Sequence, residues 1–379
     1  MEVNIVMPPR PLAERPCARR RQHVDCATGI DGTAKCTIAD SLGTEDVPSG
    51  LLAMIAVRER NPVRGCDINV GGRKVHVLEE GKKAAASVVL LHGCGSLAQE
   101  VLAPFSATGL HIVAPDRPGY GFSEPLSPGQ RGPLAQSVWL EQLIEVLHLQ
   151  DVTLAGHSIG CAPLLLLANR RPDLAKALFL IAPFCRPTPQ QTMLLLRLAV
   201  APGVGPLFAR HVVQRFASYF GRRAMRAAHH PNPIPEHLLD FPYPHAANHQ
   251  TLRTMADELW GFNADMQRVP ELKISCPIQV ICGDADAVVD PDGHLDWLAK
   301  RVPQIELRWL HGIGHNPHHA APEIASSMLC AVAAADATEA TKSKDCNRTD
   351  ERDRRRQLRS GAKSSTELSS KQQGNAYAI

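Results

Sequence analysis

Short apolar, strand-like runs restrict the fold more than any other feature of this chain: SVVLL, HIVAP, VTLAG and ALFLIA are all but continuous, and IQVIC and IELRWL, each interrupted by polar residues, complete the set. A strand with one wet face alternates apolar and polar residues. A run apolar at every position belongs to a strand covered on both sides, as in a parallel sheet. Between the runs stand stretches of helical period: LAQSVWLEQLIEVLHL at 134–149, APLLLLANRR at 162–171, HLDWLAKRV at 294–302 and PEIASSMLCAV at 322–332. Upstream, CDINV and RKVHVLEEG flank Gly71-Gly72 and read as a hairpin. Strands alternating with helices predict an α/β fold, a mostly parallel sheet flanked by helices.

The alternation stops for roughly 90 residues after Ala182, far beyond an ordinary connection. QQTMLLLRLAVAPGVGPLFARHVVQRFASYF and HQTLRTMADELWGFNADM keep a helical period and are parted by the proline-rich HHPNPIPEH, so 184–273 is expected to be an inserted helical cap. The core is then 63–183 and 274–335. Residues 1–62, rich in proline and arginine, and the charged tail 336–379 show no sustained period and are expected to be disordered. A net charge of +3 calls for neither a nucleic-acid nor a membrane partner, and in the basic tail acidic residues are interleaved with DRRRQLR. No apolar run reaches bilayer length. The N-terminal arginines precede no apolar core, so a cytoplasmic protein is expected. The eleven cysteines form no CxxC pair and read as reduced thiols. The histidine pairs in HH (229–230) and HNPHH (315–319) lack acidic or thiol partners at matching spacing, so no metal and no cofactor is expected.

Ser158 stands in LAGHSIGCAP, between an apolar run and a helix. The G-x-S-x-G pentapeptide recurs by chance; the strand before it and the helix behind it give it meaning. A serine hydroxyl needs a base within hydrogen-bond reach and donors for the oxyanion it creates. His315, glycine-flanked and after the last strand, is the favoured base over His311, His318 and His319. A carboxylate must hold that imidazole, and GDADAVVDP offers Asp284, Asp286 and Asp290. Asp286 is far enough past the strand to turn toward His315; Asp284 suits a turn and Asp290 a helix cap. HGCGS supplies a glycine-relaxed loop whose N–H at Cys94 can join that of Ile159 as the oxyanion donors. No base is arranged for Cys94 itself as a nucleophile.

The order HGCGS, DRPGYGFS, GHSIG, GDADAVVDP, GIGHNPHH resembles the α/β-hydrolase superfamily, in the branch with a helical cap, over about residues 66–332. The resemblance implies Ser158 as nucleophile, Asp286 as acid and His315 as base, with Cys94 and Ile159 donating to the oxyanion. It also implies a structural part for Arg117 and Tyr120. Relatives that open epoxides or remove halogens carry aspartate at the elbow, so serine points to acyl chemistry. The expectation is a carboxylic-ester hydrolase acting on a small-molecule substrate with a small or medium apolar acyl group. Carbon–carbon bond hydrolysis and a non-catalytic, ligand-binding member of the fold are the alternatives. Cys161 departs from the family's usual small residue after the elbow, and neither extension matches the family pattern.

Overall fold

The runs that are apolar at every position become strands that feed two cores at once. The computed structural model describes residues 65–188, 194–268 and 271–335. All of them lie in one compact unit. The expected extensions at 1–62 and 336–379 lie outside the described residues.

β1 (Cys66–Val70) and β2 (Arg73–Glu80) make the expected hairpin. They turn at Gly71 and Gly72, whose φ angles of 59° and 81° favour glycine. β3 (Ser87–Leu91), β4 (His111–Pro115), β5 (Val152–His157), β6 (Ala175–Ile181), β7 (Ile278–Gly283) and β8 (Ile305–Leu310) follow. The eight strands form one sheet in the order β1-β2-β4-β3-β5-β6-β7-β8. Only the β1–β2 and β2–β4 pairings are antiparallel. The register sets Leu91 beside Gly156 and Gly156 beside Leu180, so the loops after β3, β5 and β6 leave from one sheet edge.

The helices before the long connection are α1 (Ala98–Leu102), α2 (Pro133–Val146) and α3 (Cys161–Arg170). Between β6 and β7 lie α4 (Leu194–Ala199), α5 (Gly205–Phe208), a π-turn at Ala209–Val213, α6 (Ala217–His229), α7 (Tyr243–Ala246) and α8 (His249–Gln267). The chain closes with α9 (Pro291–Ala299), α10 (Pro317–Ala320) and α11 (Pro322–Ala334). Val89 and Leu91 join Leu140, Leu143, Leu164 and Leu167 of α2 and α3 on one sheet face. Val88 and Leu90 join Val101 of α1 and Leu329 of α11 on the other. Neighbouring residues of β3 thus enter opposite clusters, and from Val88 to Leu91 no position is left for a polar side chain.

Two readings shift in detail. The helix expected over 134–149 stops at Val146, because His148 enters the left-handed region at φ 53° and its N–H caps the Glu145 carbonyl at 3.1 Å. The stretch 190–220, read as one helical period, is broken at Pro202-Gly203, where Gly203 has φ 77°. α8 runs uninterrupted, its first turn capped by Asn248 Oδ1, which accepts from the Thr251 N–H at 2.9 Å.

Several histidines are buried and neutral. His294 Nδ1 accepts from the N–H groups of both Cys185 and Arg186 at 2.9 Å, and burial pushes its pKa down to about 4. Burial does the same to His245 and His318, to about 4, and to His92, to about 3. Between the unfolded value near 6.5 and these folded values the unfolded chain holds protons that the folded chain does not. Stability therefore falls as pH drops through that window, by about 1.4 kcal/mol per pH unit for each group. Thermal unfolding from pH 7 to 4.5 should show a continuous decline, shallower for His294→Gln, whose amide oxygen can still accept. A melting temperature level across the window would contradict this account.

Candidate active site

Ser158 sits where β5 gives way to α3 through a single 3₁₀ turn, Ser158–Gly160. Its φ of 55° is a left-handed backbone on a residue with a Cβ, a conformation that costs about 1–3 kcal/mol and persists only under surrounding constraint. Packing supplies that constraint. A Cβ on Gly160 would stand 2.6 Å from the His92 carbonyl oxygen, and one on Gly156 2.8 Å from Leu164 Cδ1. Glycine at both positions lets the β3 loop and α3 press against the corner.

The serine, histidine and carboxylate singled out from the sequence come together. Ser158 Oγ lies 3.0 Å from His315 Nε2, and His315 Nδ1 lies 2.7 Å from Asp286 Oδ2. The second carboxylate oxygen accepts from the N–H groups of Val288 and Val289 at 2.8 and 3.0 Å, which fixes its plane. His315 is held through its backbone. Its N–H donates to the Ala228 carbonyl at 3.1 Å, and its own carbonyl accepts from His157 Nε2 at 3.0 Å. A proton on Nδ1, directed at Asp286, leaves Nε2 free to accept from the serine hydroxyl.

The rival residues are occupied elsewhere. Asp284 pairs with the exposed His311 at 2.8 Å and accepts from the Gly312 N–H. Asp290 caps α9 by accepting from the Gly293 N–H at 3.1 Å and also meets Arg186.

Cys94 follows β3 and packs with Ile159 in an apolar cluster that includes Phe262 and Met266 of α8. Burial pushes its thiol up to about 12, so the sulfur stays protonated. The loop ahead of it is tied down by His92, whose Nδ1 donates to the Gly93 carbonyl at 2.8 Å and whose Nε2 accepts from the Arg117 N–H at 2.9 Å. Arg117 donates to the same Gly93 carbonyl at 3.1 Å.

Arg117 is fully buried and forms an ion pair with Glu258 of α8, itself fully buried. The Glu258 carboxylate also accepts from Gln136 Nε2 at 2.8 Å and Tyr120 Oη at 2.5 Å. The structural part implied for Arg117 and Tyr120 thus has its partner, which sequence reasoning missed. Glu258 lies on a helical stretch with no local signal, 141 residues from Arg117. Arg131 with Asp257 (2.9 Å), and Asp265 with the Leu134 N–H (3.2 Å), fasten the same helix to the core.

Behind Ser158, His315 and Asp286 lies a second missed group. His319 Nε2 is 2.7 Å from Glu100 Oε1, and one donor atom each from Glu100, His157 and His318 lie within 4.8 Å of one another, all buried. Burial alone would raise the Glu100 carboxyl, but the His318 and His319 imidazoles beside it, the latter hydrogen-bonded to it, outweigh it and hold it well below its usual range. Burial keeps His157 and His318 neutral. Two neutral imidazoles and a carboxylate are the donor set among the described residues that could hold a divalent metal such as zinc. No spacing in the sequence connects Glu100 to histidines more than 200 residues later.

A family model described as serine aminopeptidase, S33, matches residues 82–321, about two thirds of the chain. The chain belongs to this family. It is therefore a member of the α/β-hydrolase superfamily and a hydrolase by family. This S33 member is similar to the pimeloyl-[acyl-carrier protein] methyl ester esterase of Aromatoleum aromaticum, 28% identical over 64% of this chain and 96% of the relative. It is 26% identical to an uncharacterised Mycobacterium tuberculosis protein, covering 66% of this chain and 76% of that one. The fold matches the 2-hydroxy-6-oxo-6-phenylhexa-2,4-dienoate hydrolase of Rhodococcus sp. strain RHA1, with TM-score 0.57 and 20% identity over 71% and 98% of the two chains. It also matches a haloalkane dehalogenase of Bradyrhizobium elkani, with TM-score 0.54 and 21% identity over 71% and 97%.

The buried pair yields a stability test. Glu258→Leu leaves a buried guanidinium without its counter-charge and should cost about 3–5 kcal/mol in urea unfolding. Joint replacement by Arg117→Met and Glu258→Leu should cost less than the single change. A double variant as unstable as the sum of its parts would show that the pair is not coupled.

Proposed function

We propose that this S33 member is a serine hydrolase that cleaves a carboxylic ester of a small or medium apolar acid through an acyl-enzyme. The observation that carries this reading is the continuous line from Ser158 Oγ to His315 Nε2 (3.0 Å) and from His315 Nδ1 to Asp286 (2.7 Å). Ser158 Oγ attacks the ester carbonyl as His315 Nε2 takes its proton, and the charge passes to the carbonyl oxygen. The N–H groups of Cys94 and Ile159 receive that oxyanion. Collapse expels the alcohol, which leaves with the proton from His315. Water then attacks the acyl-enzyme, the same imidazole takes its proton, and the acid departs as Ser158 Oγ is reprotonated. Asp286 holds the imidazole tautomer and stabilises its charged form in both steps.

Serine at the corner favours an acyl-enzyme. The apolar side chains beside the Cys94 loop, Phe262 and Met266 together with Met255 against Gly95, suit an apolar acyl group. In this reading the helices between β6 and β7 act as the cap over the site, with α8 as its fixed wall. The named activity of the Aromatoleum relative, a methyl ester esterase, supports ester chemistry.

A fluorophosphonate probe should label the wild type and leave Ser158→Ala unlabelled; labelling that persists would remove Ser158 from its role. Asp286→Asn should lower kcat on a soluble aryl ester by roughly 10⁴-fold. Asp290→Asn should leave kcat within a small factor, since Asp290 serves a helix cap. The reverse ranking would move the acid to Asp290. Aryl esters of graded acyl length, assayed for kcat/KM, should show a maximum at short to medium chains.

A further inference from the structure

The net charge of +3 conceals a strong segregation. Residues 184–235 carry seven arginines and not one aspartate or glutamate. That span forms α4, α5, the π-turn and α6, the first three packed on α8 through Leu196, Ala199, Val200, Ala209 and Val213. Turned outward on the same segments are Arg197, Arg210, Arg215, Arg222, Arg223 and Arg226, all exposed. Large apolar side chains stand among them, with Val204 and Leu207 both 62% exposed, Phe216 52% and Tyr219 66%.

α6 organises the centre of this surface. Its inner face packs on α7, where a Cβ on Gly221 would strike the Tyr243 ring. Phe216, Tyr219, Arg223 and Arg226 follow at spacings of three and four and share one helical face. With Arg215 and Arg222 they line an open crevice of about 480 Å³. Among the described residues, no carboxylate lies in ion-pair range of Arg215, Arg222, Arg223 or Arg226.

An aromatic-aliphatic surface rimmed by arginine is the pattern of a helix that lies in a bilayer interface, with its apolar groups at acyl depth and its cations among anionic headgroups. A nucleic-acid surface would match the arginines but would leave Val204 and Leu207 without purpose. We infer that the outer face of residues 197–226 docks on an anionic phospholipid surface, Phe216 and Tyr219 entering the headgroup layer and Arg222, Arg223 and Arg226 pairing with lipid phosphates. The His315 N–H is bonded to the Ala228 carbonyl at 3.1 Å, so the docked helix ends against the triad loop and holds that loop close to the membrane. The expected absence of a membrane-spanning segment is compatible with this: no described helix is long and apolar enough to cross a bilayer, and docking of this kind does not require one.

Co-sedimentation of the full chain with vesicles tests the inference without turnover, so its outcome is independent of the esterase reading. Equimolar phosphatidylcholine and phosphatidylglycerol vesicles should pellet the protein, and phosphatidylcholine alone should not. Raising salt from about 0.1 to about 1 M shortens the screening length from about 10 to about 3 Å and should release it. Each arginine near the surface is worth about fivefold in affinity, so a chain with Arg222→Ala, Arg223→Ala and Arg226→Ala should bind about 100-fold more weakly. Phe216→Ser with Tyr219→Ser should weaken binding while leaving the circular dichroism and melting temperature intact. Phe216→Trp provides a direct reading, since its emission should shift to the blue on anionic vesicles. Equal pelleting by both lipids, unchanged binding in the arginine variant, or an unshifted Phe216→Trp emission would overturn the inference. So would a preference for duplex nucleic acid over vesicles, or self-association through this face.

Discussion

The buried pair between Arg117 and Glu258 joins the two halves of the molecule that the site needs. Two opposite charges removed from water cost several kcal/mol each unless every polar atom nearby is used. Here the carboxylate accepts from Arg117, Gln136 and Tyr120, while the guanidinium reaches back to the Gly93 carbonyl. The pair thus fixes two things at once: α8 is fastened to the core, and the loop carrying Cys94 is held in the shape that His92 also grips. Charges at both ends of one contact tie the helical segment to the sheet edge.

Against this fixed wall the strain at Ser158 becomes intelligible. A left-handed serine survives because glycines on either side let neighbouring backbone close in, and because the helix behind it is buried from Cys161 to Ala168. Asp286 and His315 are likewise positioned by backbone as much as by side chain: two N–H groups clamp the carboxylate, and Ala228 and His157 clamp the backbone on either side of the imidazole. The outer helices show the opposite balance. α6 turns its cations to solvent and is joined to the His315 loop by the Ala228 carbonyl, so one helical segment combines a packed inner wall with a charged outer face.

Much of this was legible beforehand, for reasons of local physics. SVVLL, HIVAP, VTLAG and ALFLIA became buried strands because segments with so few polar positions have to be covered on both faces, whereas IELRWL, with Glu306 and Arg308, forms the edge strand β8 and stays largely exposed. Asp290 was recognisable as a cap, and Asp286 stood apart from Asp284 by its distance past the strand end. The misses are of another kind. Glu258, Glu100 and the burial of His318 depend on contacts spanning 141 to 219 residues, which leave no periodicity and no spacing to read. The break at Pro202-Gly203 was visible as composition but lost inside an apparent helical period. The HNPHH histidines were set aside for want of an acidic partner at matching spacing; the fold supplies Glu100 from α1, the short helix after β3.

The chain alone determined the alternation of buried strands and helices, the corner at Ser158 and the order in which serine, carboxylate and histidine appear, because each follows from local period, turn chemistry and strand-end position. Only the tertiary structure decided what neutralises Arg117, which histidine meets Glu100, and that the arginines of 215–226 share an outer surface with Phe216 and Tyr219. Those outcomes rest on burial and on distances between remote segments, and such distances exist only once the sheet has closed and the helices have packed.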